Sequence, residues 1–299
     1  MLVITVDPTN SEKRLDNYIA QSQDLTRSES KHLIKSGQVS VNGKIIFKPA
    51  FNVKSGFEIK ISKTIKGNIC EQISYDNLSI IYKDEHILVI EKPSGLTVHH
   101  GTKHSSNTLA DKLVVAFPEI HKIGERGRNG IVHRLDKDTS GLMIIALESS
   151  AYNKLQKMFK RREILKYYVA LVFGKLLEKK GIIDAPIGRN PKNPVKQALI
   201  NTGKESITNY VVIQEFDDVS LVEIHPETGR MHQIRVHFSG IGHPIIGDRK
   251  YGNGYMNSVI SRQFLHAHKI KFHHPITGKT MVLKSPLASE LTKVVDCLQ

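Results

Sequence analysis

Cysteine is scarce: the 299 residues contain only Cys70 and Cys297. Two cysteines so far apart cannot make a disulfide scaffold or a zinc module built on cysteine ligands. No apolar run approaches the 18 or so residues that span a bilayer. The first residues lack the basic segment and the long apolar core of a signal peptide. We therefore expect a cytoplasmic protein with reduced thiols and no membrane partner.

Acidic residues are outnumbered, because 29 Asp and Glu stand against 43 Lys and Arg, which gives a formal net charge of +14. A field of that sign attracts polyanions, nucleic acid first and an anionic membrane surface second. Residues 1–72 carry 11 basic and 7 acidic side chains, and the remainder is also basic. Both parts of the chain are therefore expected to contact the same polyanion.

Several familiar catalytic motifs are absent. The chain has no phosphate-binding loop, no dinucleotide fingerprint, no Gly-x-Ser-x-Gly elbow and no His-Glu-x-x-His pair. The 15 histidines show no standard metal-ligand spacing with an acidic or thiol partner. We therefore expect no metal site.

Residues 1–72 are predicted to form a small domain with a polar linker at residues 63–68. Leu15, Tyr18 and Ile19 recur at helical spacing, and a second helix is predicted over residues 28–36. Asn42-Gly43 is a strong hairpin signal, and a return strand is predicted to run through Ile45 and Phe47.

The second predicted helix carries a basic stripe. Arg27, Lys31 and Lys35 are spaced by four and share one helix face. A solvated face and a phosphate-contacting face both account for such a stripe. The sequences RLDNY at 14–18, TRS at 26–28 and LIKSGQVSVNGK at 33–44 resemble the alpha-L RNA-binding motif of ribosomal protein S-four. That resemblance implies an RNA-binding face, to which we assign the stripe residues Arg27, Lys31 and Lys35 together with Lys44.

Residues 73–299 show a different pattern, in which strands alternate with turns and a few helices. Strands are predicted at 131–132, 142–147, 167–172, 210–213 and 220–224, and a helix at 151–161. The mixture predicts an α+β domain built on a mainly antiparallel sheet, without a regular βαβ repeat.

One segment of this second part places a carboxylate between apolar stretches. Residues 130–143 read GIVHRLDKDTSGLM, so Asp136 lies in a charged turn between Arg134 and Lys137. A solvated hairpin turn accounts for this pattern. The alternative is a carboxylate that neighbouring cations keep ionised for nucleophilic attack.

Two further segments carry candidate functional side chains. Residues 227–237, ETGRMHQIRVH, place four basic or potentially basic side chains within eight residues, and periodicity leaves helix and strand both open. Residues 166–172, KYYVALV, predict a strand with two tyrosines, for which core packing is the simple alternative.

Together these segments resemble the RluA type of RNA pseudouridine synthase. The sequence HRLD at 133–136 followed by TSG at 139–141 matches the catalytic signature of that family. Further family blocks are matched at 91–99 (EKPSGLTVH), 242–248 (GHPIIGD) and 265–267 (LHA). An alpha-L motif ahead of the catalytic domain resembles the C and D types that act on large-subunit ribosomal RNA, and the wording of residues 130–143 favours the D type.

The resemblance implies a role for each matched residue. Asp136 is the catalytic aspartate that attacks the target uridine, and Arg134 lies beside the flipped nucleotide. Tyr168, chosen over its neighbour Tyr167, packs on the uracil and takes part in proton transfer. Arg235 pairs with Asp136 and keeps it ionised. To these we add two RNA contacts, Lys92 and Arg230.

The implied reaction is an isomerisation, which requires no ATP, redox cofactor or metal, so we expect no cofactor. The target base must first be unstacked, at a cost of a few kcal/mol. We expect 23S-type large-subunit RNA or a pre-ribosomal particle as the partner, and a monomer. Two alternatives stay open: a synthase of this type that acts on transfer RNA, and a non-catalytic RNA-binding factor in ribosome assembly.

Overall fold

The computed structural model describes residues 2–8, 11–23, 25–35, 39–61, 78–100, 107–125, 127–255 and 259–298. The chain divides into two compact units, Met1–Ile73 and Ser74–Gln299. The polar linker predicted at residues 63–68 lies outside the described residues. Among the described helices, none has both the length and the hydrophobicity that a membrane span requires.

The first unit packs two short helices on a small sheet. Its elements are β1 Leu2–Thr5, α1 Leu15–Ser22, α2 Arg27–Lys35, β2 Val39–Val41, β3 Lys44–Ile45 and β4 Glu58–Ile61. The described strands pair antiparallel in the order β1-β4-β2-β3. Leu15, Ile19 and Ile34 from the helices are fully buried with Val39 and Ile59 from the sheet. Each such side chain contributes about 1.5–3 kcal/mol of burial energy.

The predicted hairpin is present, but its return strand is shorter than expected. Asn42 and Gly43 both have positive φ, 49° and 77°, which a tight type I′ hairpin turn requires. β3 ends at Ile45, and Phe47 lies beyond it with 63% of its surface exposed. The prediction that the strand runs through Phe47 is therefore wrong, because the last ladder bond is donated by the Ile46 amide.

The second unit is built on one large sheet. Its strands are β5 Ser79–Lys83, β6 Ile87–Lys92, β7 Ser140–Ala146, β8 Leu165–Phe173, β9 Lys180–Asp184, β10 Ile187–Arg189, β11 Gln197–Leu199, β12 Ile207–Glu215, β13 Val219–Pro226, β14 Leu265–His273 and β15 Thr280–Lys284. Its helices are α3 Leu109–Ala116, a 3₁₀ turn Pro118–Lys122, α4 Ser149–Lys160, α5 Gln233–Gly240 and α6 Ser289–Asp296.

The described strands of the large sheet follow the order β5-β6-β7-β14-β8-β13-β12-β9, with β15 also paired to β14, while β10 and β11 form a separate hairpin. Neighbours in the large sheet are antiparallel except β7 and β14, which are parallel. This confirms the predicted α+β class with a mainly antiparallel sheet. Every residue of β7 is buried, so the strand that follows the Asp136 turn lies in the core.

Gly141 allows β7 and β14 to approach each other. Its φ is +115°, and a Cβ there would lie 2.3 Å from the Ala267 carbonyl oxygen of β14. No side chain fits in that space, because real Cβ atoms do not approach a backbone oxygen so closely. The glycine of the TSG sequence therefore has a packing role at the centre of the sheet.

Two predictions for this unit need correction or completion. The strand predicted at 131–132 is wrong: Ile131 forms only an isolated bridge to Ile145, with a turn directly before it and irregular backbone after it as far as the Asp136 turn. Residues 227–237, left open between helix and strand, form a turn followed by α5. The predicted helix at 151–161 is α4, shifted by one or two residues.

Candidate active site

The Asp136 turn leads into β7 and is held through its backbone. The Thr139 amide donates to the Asp136 carbonyl at 3.1 Å. Lys92 donates from Nζ to the Lys137 carbonyl at 2.9 Å. Arg262 donates from Nη1 to the Asp138 carbonyl at 3.0 Å. One backbone bond within the turn and two side chains from distant parts of the sequence therefore fix three consecutive carbonyl groups of the turn.

Lys92 holds this turn and is not placed to contact RNA. The side chain is fully buried, and Nζ donates to the carbonyls of Pro93, Leu96 and Lys137 at 2.7–2.9 Å. Three acceptors match the three protons of an ammonium group. Burial lowers the pKa of Lys92 to about 7. The expectation that Lys92 binds RNA is therefore wrong, because no part of its ammonium group faces solvent.

Arg235 joins two carboxylates in the first turn of α5. Its Nη1 donates to Asp136 Oδ2 at 2.9 Å. Its Nε and Nη2 donate to the two oxygens of Asp248 at 2.7 and 2.8 Å. The structure thus brings the predicted pair of Arg235 and Asp136 together and adds a third member.

The three side chains of this triad are shielded from solvent to different degrees. The Asp248 side chain is fully buried and the Arg235 side chain is 9% exposed, whereas that of Asp136 is 18% exposed. Burial opposes the charge on Arg235, but bonding to Asp248 and then to Asp136 outweighs it and raises the pKa of the guanidinium. Burial also opposes ionisation of Asp248, yet Arg235 lowers the pKa of that carboxyl. Asp248 therefore orients a permanently charged Arg235, and Asp136 keeps a partly open face.

The start of α5 is fixed to the sheet by Gln233. Its Oε1 accepts from the Thr228 hydroxyl at 2.8 Å, and its Nε2 donates to the Ile207 carbonyl at 2.9 Å. Since Arg235 lies two residues further along the same helix, these bonds set the position from which it reaches Asp136.

The two adjacent tyrosines of β8 point to opposite faces of the sheet, as alternate strand residues do. Tyr168 faces a cavity next to Asp136. Tyr167 instead stacks on His225 at 5.0 Å, with Lys269 Nζ 4.0 Å from its ring centre. Burial, with a smaller contribution from Asp136, raises the pKa of Tyr168, so its phenol stays protonated at neutral pH.

The cavity has a volume of about 150 Å³, small beside the 300–1,000 Å³ or so of typical ligand pockets. Its lining includes Arg134, Asp136, Lys166, Tyr168, His232 and Arg235. A space of that size suits a single ring better than a large ligand. Within the described part of the chain, no group of three or more His, Cys, Asp or Glu is arranged to hold a metal.

Two arginines flank the cavity. Arg134 is exposed at its edge, and no hydrogen bond or ion pair joins its guanidinium to another described residue. Arg230 donates from Nε to the Glu205 carbonyl at 3.0 Å and also lines the cavity. Both predicted residues are therefore at the site. Arg134 makes no hydrogen bond to another described residue, whereas Arg230 is held by the Glu205 carbonyl.

Of the four predicted RNA-binding residues in the first unit, the structure describes the side chains of three. Arg27 is half exposed and lies 3.6 Å from the fully buried Asp16, which also binds Arg14 at 2.8 Å. Lys31 is half-buried on α2, and Lys44 is exposed on β3. Lys35 ends α2, and its side chain lies outside the described structure.

Several residues at the site were not predicted from the sequence. Asp248 lies within a quoted sequence block, but nothing local indicated that it binds Arg235. Lys166 lines the cavity, and burial lowers the pKa of its ammonium group. His232 has Nε2 3.9 Å from Asp136 Oδ2. In the sequence, His232 was only one of four basic or potentially basic side chains of residues 227–237, and no local signal linked it to Asp136; the pairing of Arg235 with Asp136 was expected from the resemblance to the synthase family.

The fold and this site correspond to an established enzyme class. Residues 86–240 match the family model described as RNA pseudouridylate synthase, and residues 13–59 match the S4 domain. A solved structure, human RNA pseudouridylate synthase domain containing 1, is similar with a TM-score of 0.59 and 30% identity, covering 75% of this chain and 96% of that one. The chain belongs to the RNA pseudouridylate synthase family, and it is an RNA pseudouridine synthase.

Individual relatives share most of the chain's length. The ribosomal large subunit pseudouridine synthase D of Blochmanniella floridana is 38% identical, over 92% of this chain and 90% of the relative. An uncharacterized RNA pseudouridine synthase of Aquifex aeolicus is 36% identical, over 91% of this chain and 90% of the relative. The resemblances to the synthase family and to the alpha-L motif are thus confirmed, and RNA is the class of substrate that they indicate.

Proposed function

We propose that the protein isomerises specific uridines of large-subunit ribosomal RNA to pseudouridine, with Asp136 as the nucleophile. The observation that carries this proposal is the bond from Arg235 Nη1 to Asp136 Oδ2 inside a cavity that Tyr168 also lines. The relatives named synthase D support ribosomal RNA as the substrate. We propose that the reaction takes place in the cytoplasm, on free RNA or on a pre-ribosomal particle.

Asp136 begins the reaction by adding to the target nucleoside. The bond between N1 and C1′ then breaks, the freed uracil turns, and C5 bonds to C1′ while the C5 proton leaves and N1 gains one. The bond to Asp136 also breaks, which returns the free carboxylate. Atoms and electrons balance without an added reactant. Arg235 holds Oδ2, so Oδ1 is the oxygen available for attack; both the sugar carbon and the base ring remain chemically suitable targets.

Tyr168 contributes a ring surface and a hydroxyl. A base that enters the cavity packs on its ring. The raised pKa keeps the phenol protonated, and its hydroxyl has no hydrogen-bond partner among the described residues. It is therefore placed to relay the proton that moves from C5 to N1 of the uracil.

Arg134 holds the target nucleotide outside the RNA stem. A base can reach a cavity of this size only after it leaves its stack, which costs a few kcal/mol. Arg134 is exposed at the cavity edge and has no described ionic partner, so its guanidinium is available to the flipped nucleotide or to the space that the nucleotide leaves.

Phosphate contacts supply the rest of the free energy that offsets unstacking of the target base. We assign these to Arg27, Lys31, Lys35 and Lys44 of the first unit and to Arg230 beside the cavity. Each neutralised phosphate releases counterions, which offsets the cost of unstacking. One chain supplies every group in this account, so we propose that the enzyme works as a monomer.

The test compares wild-type protein with Asp136→Asn. Pseudouridine is mapped in all ribosomal and transfer RNAs from cells with the gene intact and deleted, and then with each variant restored. We expect loss at particular large-subunit positions that only the wild type restores, with RNA affinity preserved in Asp136→Asn. Loss confined to transfer RNA would replace the substrate. An active Asp136→Asn protein would refute the assigned nucleophile.

A further inference from the structure

His232 lies between the proposed nucleophile and a half-buried tyrosine. Its Nε2 is 3.9 Å from Asp136 Oδ2, and its Nδ1 is 2.8 Å from Tyr251 Oη. The side chain is only 13% exposed. The imidazole faces the same carboxylate oxygen that Arg235 binds.

The hydrogen bonds around Tyr251 determine where the His232 proton lies. The Gln197 amide donates to Tyr251 Oη at 2.8 Å, so one lone pair of that oxygen is occupied. The phenol still has its own proton, and His232 Nδ1 is the acceptor that the described residues offer it. With Nδ1 accepting, a neutral imidazole carries its proton on Nε2. That proton faces Asp136.

The backbone of His232 is bent into an uncommon conformation. Its φ of 57° and ψ of 19° place it in the left-handed region, which non-glycine residues rarely adopt. It is the N-cap residue of α5, yet its side chain makes no capping bond. Strain of this kind is concentrated at functional sites. Here it directs the side chain into the cavity instead of towards the end of the helix.

Burial and the neighbouring cations keep the His232 imidazole neutral. Burial is the main cause that lowers the pKa of His232 to about 4; Arg235 and Lys250 act in the same direction, while Asp136 and Asp248 oppose them. The Arg235 guanidinium also lies 5.2 Å from the centre of the Tyr251 ring. Tyr251 therefore contacts both groups that face Asp136 Oδ2.

We propose that His232 is a positioning residue for Asp136, donating from Nε2 to Oδ2 alongside Arg235 and so leaving Oδ1 to attack the uridine. The 3.9 Å separation shortens to a hydrogen bond when RNA closes the cavity, as catalytic contacts commonly do on complex formation. Tyr251 fixes the required tautomer. This inference rests on the proposed role of Asp136.

The test uses a large-subunit RNA transcript with tritium at C5 of uridine, followed in single turnovers at saturating enzyme. His232→Leu removes the donor, and we expect the rate to fall roughly tenfold or more while RNA affinity stays within about twofold. His232→Gln retains a donor near the Nε2 position and should recover most of the rate. Tyr251→Phe removes the hydroxyl that fixes the His232 tautomer, so its rate should lie between those of the two His232 variants.

The matched control is Tyr210→Phe, which removes the hydroxyl of a β12 tyrosine whose ring packs against Phe238 of α5. We expect it to keep the wild-type rate. Equal losses in His232→Leu and His232→Gln, or a wild-type rate in His232→Leu, would overturn the positioning role. A wild-type protein inactive on every ribosomal and transfer RNA transcript would instead overturn the proposed function.

Discussion

Asp248 binds Arg235 through both of its carboxylate oxygens, at 2.7 and 2.8 Å, with no exposed surface of its own. This arrangement uses Nε and Nη2 of the guanidinium and leaves Nη1 for Asp136. The planar fork of an arginine fixes those three directions relative to one another. Asp248 therefore determines the angle from which the proposed nucleophile is held, without reaching the cavity.

Substitution of Asp248 by Asn should separate this orienting role from RNA binding. The amide keeps the shape but lacks the charge, and it leaves Arg235 with only one carboxylate. We expect the single-turnover rate to fall by roughly 10- to 100-fold and the unfolding free energy by about 3 kcal/mol, because one partner of a buried ion pair is lost. RNA affinity measured by filter binding should not change.

Asp218→Asn provides the matched control, because Asp218 accepts a hydrogen bond from Tyr255 in an exposed position. Its rate should equal that of the wild type. Wild-type turnover in Asp248→Asn would show that Arg235 keeps its orientation without Asp248.

Substitution of Lys92 by Met should destabilise the protein and leave RNA affinity intact. Three carbonyls would lose their donor, at a cost of about 1–3 kcal/mol for each group left unsatisfied in the interior. Urea unfolding gives the stability, and filter binding gives the affinity. The same substitution at Lys271, an exposed residue of β14, should change neither. A loss of affinity without a loss of stability would restore Lys92 as an RNA contact.

Stability should fall in mild acid because of His133. Burial, with a smaller contribution from Lys166, lowers its pKa to about 3, and its Nε2 accepts from the Ile144 amide at 2.9 Å. Between pH 6.5 and 3 the unfolded chain binds a proton that the folded chain does not. The stabilisation is therefore complete above pH 6.5 and is lost as the pH falls, by about 2 kcal/mol at pH 5.

Urea unfolding at pH 7 and pH 5 measures this loss. His133→Gln keeps an acceptor but cannot titrate, so its stability should depend less on pH than that of the wild type. His121→Gln, at an exposed position, should retain the wild-type dependence. Identical slopes for all three proteins would exclude His133 as the source.

The basic residues of the first unit should act on binding and not on chemistry. Replacing Lys31 and Lys44 together by Gln should weaken RNA affinity and reduce the slope of log affinity against log salt by up to about two. The rate at saturating RNA should stay the same. Lys54→Gln, in the same unit, should have a smaller effect. An unchanged salt slope in the double variant would mean that neither ammonium group contacts phosphate.

The sequence predicted the local features of the fold and little of the long-range contacts. Apolar runs indicated β7 and β8, and the Asn-Gly pair indicated the hairpin at Asn42, because such patterns depend on neighbouring residues. The burial of Lys92 and the pairing of Asp248 with Arg235 depend on how distant strands meet. In the local sequence, a buried lysine that donates to three carbonyls looks the same as a lysine exposed to solvent.

The Asp136 turn is held by Lys92, which precedes it in the sequence, and by Arg262, which follows it, and β14 pairs with β7 directly after the turn. A ribosome making this protein completes the first unit long before it reaches Arg262. During synthesis, the basic residues that we assign to RNA binding are thus complete while Asp136 still lacks its final support. We therefore expect a growing chain to be able to bind RNA before it can modify it.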